Sequence, residues 1–109
     1  MDDLKEQRCL PCEGGVETLD RPQAEDYLAK LSSGWALDER GKELRKEFRF
    51  KDFYRTMSFV NAIAHIANQQ NHHPDLEVGY NRCLVRYSTH AVKGLTVNDF
   101  ICAARIDAL

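Results

Sequence analysis

The sequence has no apolar run approaching the roughly 20 residues that a membrane-spanning helix needs. It also has no excess of one charge, because 15 Lys and Arg stand against 17 Asp and Glu for a formal net charge of -2. The first absence excludes a transmembrane helix. The second argues against DNA or RNA as the main partner, since nucleic-acid-binding domains carry a strong basic excess. Cysteine is scarce, with four in 109 residues, and Cys9, Cys12, Cys83 and Cys102 are too scattered for a disulfide scaffold. The opening Met1-Asp2-Asp3-Leu4 is acidic where a secretory signal is basic, so the expected location is cytoplasmic. Repeats, linkers and low-complexity tracts are absent.

What is present describes an ordinary globular protein: 43% apolar and 29% charged residues, with three prolines and six glycines. A chain of this length buries roughly two thirds of the surface its unfolded form exposes, enough for one core without metal or disulfide staples. Residues 1–18 are polar and show no period, which predicts a mobile N-terminal arm ahead of a single domain over 19–109. Within that arm, Cys9-Leu10-Pro11-Cys12 has the two-residue gap of a redox or zinc half-site. No second CxxC or CxxH follows to complete four ligands, so no metal site is expected. Cys83 and Cys102 fall among apolar neighbours and read as small buried hydrophobes.

Asp20 with Gln23 forms a capping-box pattern, and Ala24, Tyr27, Leu28 and Leu31 recur at helical spacing until Ser32-Ser33-Gly34. Trp35 to Leu37 and Glu43 to Phe50 predict two strands, the second with Leu44, Lys46, Phe48 and Phe50 on one face. Asp52 caps a long helix whose predicted stripe is Phe53, Met57, Val60, Ala64 and Ala67, widened by Phe59, Ile63 and Ile66. His65 lies opposite that stripe and is expected to be a solvated surface residue. Leu76, Val78 and Tyr80 alternate as a third strand and Cys83, Val85 and Tyr87 as a fourth, with Asn81-Arg82 as the expected turn. Thr96 and Asp99 form a second capping box, stapled by Leu95 and Phe100, ahead of a helix carrying Val97, Ile101, Ala104 and Ala108. The order α-β-β-α-β-β-α predicts an α+β fold, with three helices on one face of a four-stranded antiparallel sheet.

Three histidines fall in two short segments, His72-His73-Pro74 and Thr89-His90, at the outer ends of the third and fourth strands. A hairpin pairing Tyr80 with Cys83 sets His73 opposite His90 with His72 adjacent, and a slip of one or two residues still leaves the imidazoles clustered. Pro74 disfavours helical backbone at His73 and so ends the long helix there. Three readings are open on the residues alone. The rings satisfy backbone groups at strand ends, or they ligate a zinc ion, or they transfer protons as acid and base near neutral pH.

The pattern His72-His73-Pro74, Tyr80, His90 and Asp99 resembles the signature of the pterin-4a-carbinolamine dehydratases. The likeness extends to Gly34-Trp35, Phe48 to Phe53, Ser88-Thr89-His90 and Gly94-Leu95-Thr96, and spans roughly residues 19–108. The segment before the histidine pair departs from many members, with neutral Asn68-Gln69-Gln70-Asn71 where they carry acidic residues. The resemblance implies dehydration of 4a-hydroxytetrahydropterin to quinonoid dihydropterin, without metal or redox cofactor. It implies His72 and His90 as the acid–base pair, and His73, Pro74, Tyr80 and Asp99 as substrate-binding residues. It further implies a homotetramer and a functional link to an aromatic amino acid hydroxylase. Some animal relatives also act as dimerisation cofactors of a homeodomain transcription factor, which makes a non-catalytic binding module the alternative. For Asp99 itself the capping box is a complete structural explanation, so its main role is expected to be structural.

Overall fold

In the computed structural model, which describes residues 4–10 and 17–109, three helices and a four-stranded antiparallel sheet form the expected α+β fold. Helix α1 spans Arg21–Leu28, and its capping box is formed by Asp20 and Gln23 as the sequence predicts. Strands β1 (Ala36–Leu37) and β2 (Leu44–Arg49) follow, then α2 (Phe53–Gln70), β3 (Asp75–Val78), β4 (Arg82–Tyr87) and α3 (Val97–Asp107). The sheet order is β1-β2-β4-β3, so β3 lies at one edge.

Alternation along the strands sets the layers. Leu44 on β2 and Cys83, Val85 and Tyr87 on β4 are buried, while Arg45, Glu47 and Arg49 are exposed on the other face. Phe100, Ile101 and Ile106 of α3 and Ile63 and Ile66 of α2 close the core over the buried face. Trp35 ties the end of α3 to the sheet by donating its indole N–H to Asp107 Oδ1 at 2.9 Å.

Three expectations are corrected. The hairpin pairs Val78 with Cys83 rather than Tyr80 with Cys83, so its turn is Tyr80-Asn81 instead of Asn81-Arg82. Thr56 Oγ1 donates to the Tyr80 carbonyl at 3.0 Å and Phe50 N–H to the Asn81 carbonyl at 2.9 Å, and these two long-range bonds fix the turn. The slip is by two residues, so every side chain keeps its face.

The buried stripe of α2 is also rotated, to Thr56, Ile63 and Ile66, leaving Phe53 and Ala64 exposed. Phe59 sets the rotation by packing against Phe48 and Phe50, with ring centroids 4.6 and 5.0 Å away. His65 is exposed, as expected.

Residues 4–10, read from sequence as part of a mobile arm, are packed on α3. Leu4 is buried, Arg105 donates to the Gln7 carbonyl at 2.6 Å, and Asn98 brackets Leu10 by accepting from its N–H and donating to its carbonyl. Cys12 lies outside the described residues, so the Cys9/Cys12 half-site has no structural description.

Candidate active site

The site forms where α2 ends, β3 begins and the loop after β4 returns. Asn71 caps α2 in the left-handed conformation, φ 52°, and both Asn71 N–H and His72 N–H donate to the Ala67 carbonyl. Asparagine tolerates that conformation at a helix C-terminus, and Pro74 prevents the helix from continuing. The chain therefore turns at His72-His73 and presents the two imidazoles to different surroundings. His72 is 7% exposed, whereas His73 is exposed.

His90 is carried by a short 3-10 turn, His90–Val92, rather than by the strand itself. An isolated bridge between Thr89 and Gly94 closes this loop, with Thr89 N–H donating to the Gly94 carbonyl at 2.8 Å. A side chain at Gly94 would meet the Thr18 methyl at 3.0 Å, so glycine lets the loop close against residues ahead of α1. His90 is exposed, and its ring lies parallel to that of His73, with centroids 6.1 Å apart and planes 16° from parallel. Of the three imidazoles expected to cluster, His73 and His90 are brought face to face, while His72, next to His73 in sequence, is turned inward.

His72 is the buried member. Its Nε2 lies 2.6 Å from Oδ1 of Asp99, which is 0% exposed, and its ring stacks on Tyr87 at 5.8 Å. The second carboxylate oxygen of Asp99 accepts from Thr89 Oγ1 at 2.8 Å and from Thr96 N–H at 3.0 Å. The capping box predicted from Thr96 and Asp99 is thus formed, and the same carboxylate also holds a histidine. Burial works against the His72 cation, but the hydrogen bond and charge of Asp99, helped by the nearby Cys9, outweigh it. The His72 pKa is therefore raised above the usual histidine value.

Two residues of the network, Thr89 and Tyr87, were missed as site residues by sequence reasoning. The signals for Thr89 were its position directly before His90 and its place in the Ser88-Thr89-His90 likeness, neither of which gave it a role. Tyr87 read as an ordinary inward strand residue.

Tyr80 is placed elsewhere. It is 66% exposed in the turn at the far end of β3 and stacks on Phe53, with centroids 6.5 Å apart. At about 3.3 Å per strand residue, the length of β3 separates it from the histidine pair within one chain. Pro74 is half-buried between His73 and the start of β3. Among the described residues no group of three or more His, Cys, Asp or Glu side chains is arranged to hold a metal ion. No described helix is long and apolar enough to cross a membrane.

Comparison with known proteins identifies the family of the chain. The family profile for pterin 4 alpha carbinolamine dehydratase matches residues 17–109. A protein of Legionella pneumophila (strain Corby), provisionally named a pterin-4-alpha-carbinolamine dehydratase, is 53% identical over 98% of this chain and 95% of its own length. One from Nitrosomonas eutropha with the same provisional name is 50% identical over 98% of this chain and 93% of its own. Among solved structures, a transcriptional coactivator/pterin dehydratase from Brucella melitensis superposes with a TM-score of 0.80 at 29% identity. That match covers 84% of this chain and 97% of the other. The sheet, the helices over it and the chain-wide likeness to these relatives lead to one conclusion: the chain belongs to the pterin 4 alpha carbinolamine dehydratase family.

Proposed function

We propose that the protein dehydrates a 4a-hydroxytetrahydropterin to the quinonoid dihydropterin, using imidazoles alone to move the protons. The observation that carries this reading is the facing pair His73 and His90, brought together from two segments, with His72 beside His73 in sequence and backed by a buried carboxylate.

The reaction breaks the C4a–O bond, releases the hydroxyl as water, removes the proton on N5 and forms the C4a–N5 double bond. A general acid must hold a proton at neutral pH to supply the leaving oxygen. His72 meets that need because Asp99 favours its protonated form. Asp99 holds the ring through Nε2, as in other carboxylate–histidine pairs where the carboxylate orients the imidazole. His90, on the loop after β4, is the base for N5. His73, exposed and parallel to His90, grips the flat pterin ring. Acid–base groups of this kind are worth about 10² to 10⁴ in rate.

The wider reading is a cytoplasmic homotetramer that regenerates pterin for an aromatic amino acid hydroxylase. The edge position of β3, with Val78 exposed, supports association with further copies. The test of the dehydratase reading follows the absorbance of freshly generated carbinolamine, with and without the protein. Faster decay with protein supports it. Identical traces refute it and leave a non-catalytic binding module, a reading that the name of the Brucella protein, transcriptional coactivator/pterin dehydratase, keeps open.

A further inference from the structure

Two cysteines that the proposed dehydration does not use lie against each other behind the histidine site. Cys9 Sγ, on the segment packed over α3, is 3.6 Å from Cys102 Sγ in α3, 93 residues away in sequence. Both thiols are free. Cys9 is held in place by its neighbours: its N–H donates to Gln70 Oε1 at 2.9 Å, and the next residue, Leu10, is bracketed by Asn98. The two sulfurs differ sharply in surroundings. Cys9 is partly exposed, whereas Cys102 is fully buried, with its sulfur 4.0 Å from the His72 carbonyl oxygen.

We propose that Cys9 is a peroxide-sensitive thiol and that Cys102 is its resolving partner, so that oxidation closes a reversible Cys9–Cys102 disulfide beside His72. The contact geometry supplies the reach, since closing from 3.6 Å to the bonded S–S length of about 2.05 Å needs a movement of about 1.5 Å.

The two thiols also have the right division of labour. The contact with Cys102, with the nearby His72 and Arg105, lowers the Cys9 pKa against burial and the charge of Asp99, and the Cys9 sulfur also lies 3.6 Å from the Asn98 carbonyl oxygen, to which its thiol donates. The same contact with Cys9, together with burial, pushes the Cys102 thiol up. A partly exposed thiol of lowered pKa beside a second, buried thiol is the arrangement of redox-sensing cysteines.

The chemistry balances with hydrogen peroxide as the oxidant. The Cys9 thiolate attacks one peroxide oxygen, the O–O bond breaks, and the other oxygen leaves as hydroxide and is protonated to water. The Cys9 sulfenic acid is then attacked by the Cys102 sulfur. The S–S bond forms, the S–O bond breaks, and the departing hydroxide takes the Cys102 proton as a second water. Two thiols lose two electrons and one peroxide gains them. A reductant of the dithiol class reverses the bond.

The experiment treats the full chain with about one equivalent of hydrogen peroxide, then unfolds it in denaturant, blocks remaining thiols with iodoacetamide and maps peptides without reduction. The expected result is a peptide pair joined through Cys9 and Cys102, with Cys12 and Cys83 alkylated and the unalkylated chain lighter by about 2 Da. Cys12→Ser should give the same bond. Cys102→Ser should stop at a Cys9 sulfenic acid that dimedone captures. A Cys9–Cys12 bond, a bond between two chains, or four alkylated thiols in the treated wild type would overturn the proposal, and none of these readings depends on the folding of the Cys102 variant.

Discussion

His72 Nε2 and Asp99 Oδ1 lie 2.6 Å apart although 27 residues separate them, and this contact ties the end of α2 to the first turn of α3. Because Asp99 also accepts from Thr89 and Thr96, one buried carboxylate positions the histidine pair, the His90 loop and the helix start together.

Asp99→Ala removes all three partnerships and leaves His72 in a buried site without its counter-charge. Breaking a buried pair costs about 3 to 5 kcal/mol, and each kcal/mol shifts the melting temperature of a domain this size by roughly 4 to 8 °C. The expected result is a fall of more than about 10 °C on the same scale, read by differential scanning calorimetry. An unchanged midpoint would show that the contact carries no stability. This loss exceeds the few degrees that a helix cap alone would give, because the sequence showed the cap and not the histidine behind it.

The raised His72 pKa fixes the sign of one pH effect. A histidine whose folded pKa lies above its unfolded value contributes stability that is fully present below about pH 6.5 and is lost as pH rises through the folded pKa. The wild-type midpoint should therefore fall across that rise, and Asp99→Asn should flatten this component. A variant with the wild-type slope would assign the titration to another group.

The three histidines should separate kinetically. His90→Ala and His72→Ala should lower kcat by about 10² or more, and His73→Ala should mainly raise KM, since a gripping group acts in ground and transition states alike. His73 and His90 are exposed, so their removal should leave the melting temperature nearly unchanged. Equal kcat losses at all three positions would contradict the assignment.

Tyr80 was expected at the substrate from the family likeness, yet its ring packs on Phe53 at the other end of β3. Tyr80→Ala should change KM by less than about twofold, far below the kcat effect of a group in the acid–base pair. A tenfold rise would mean that Tyr80 reaches the site of a second copy.

Local signals were legible wherever local chemistry decides the structure. Both capping boxes, the Asp52 cap, the break at His72-His73-Pro74 and the two faces of β2 follow from residues within a few positions of each other. What could not be read depends on distant partners. The hairpin turn is set by Thr56 and Phe50 reaching Tyr80 and Asn81, and the facing of α2 by Phe59 against β2 and Phe50. Leu4 and Cys9 have no period to announce them, but α3 offers them a buried surface and bonding partners. The juxtaposition of His73 and His90 was robust to the register error. The role of Asp99 was not, because a capping box accounts for an aspartate without asking what its first oxygen holds.

The most direct test of proton transfer by the histidine site is the stopped-flow decay of 4a-hydroxytetrahydropterin with the wild type and with the His72→Ala/His90→Ala double variant, each shown to be folded by circular dichroism. The account predicts a wild-type rate well above the buffer control and a double-variant rate within a few-fold of that control, the difference being at least the 10² or so expected of an acid–base group. A folded double variant that keeps the wild-type rate would contradict it.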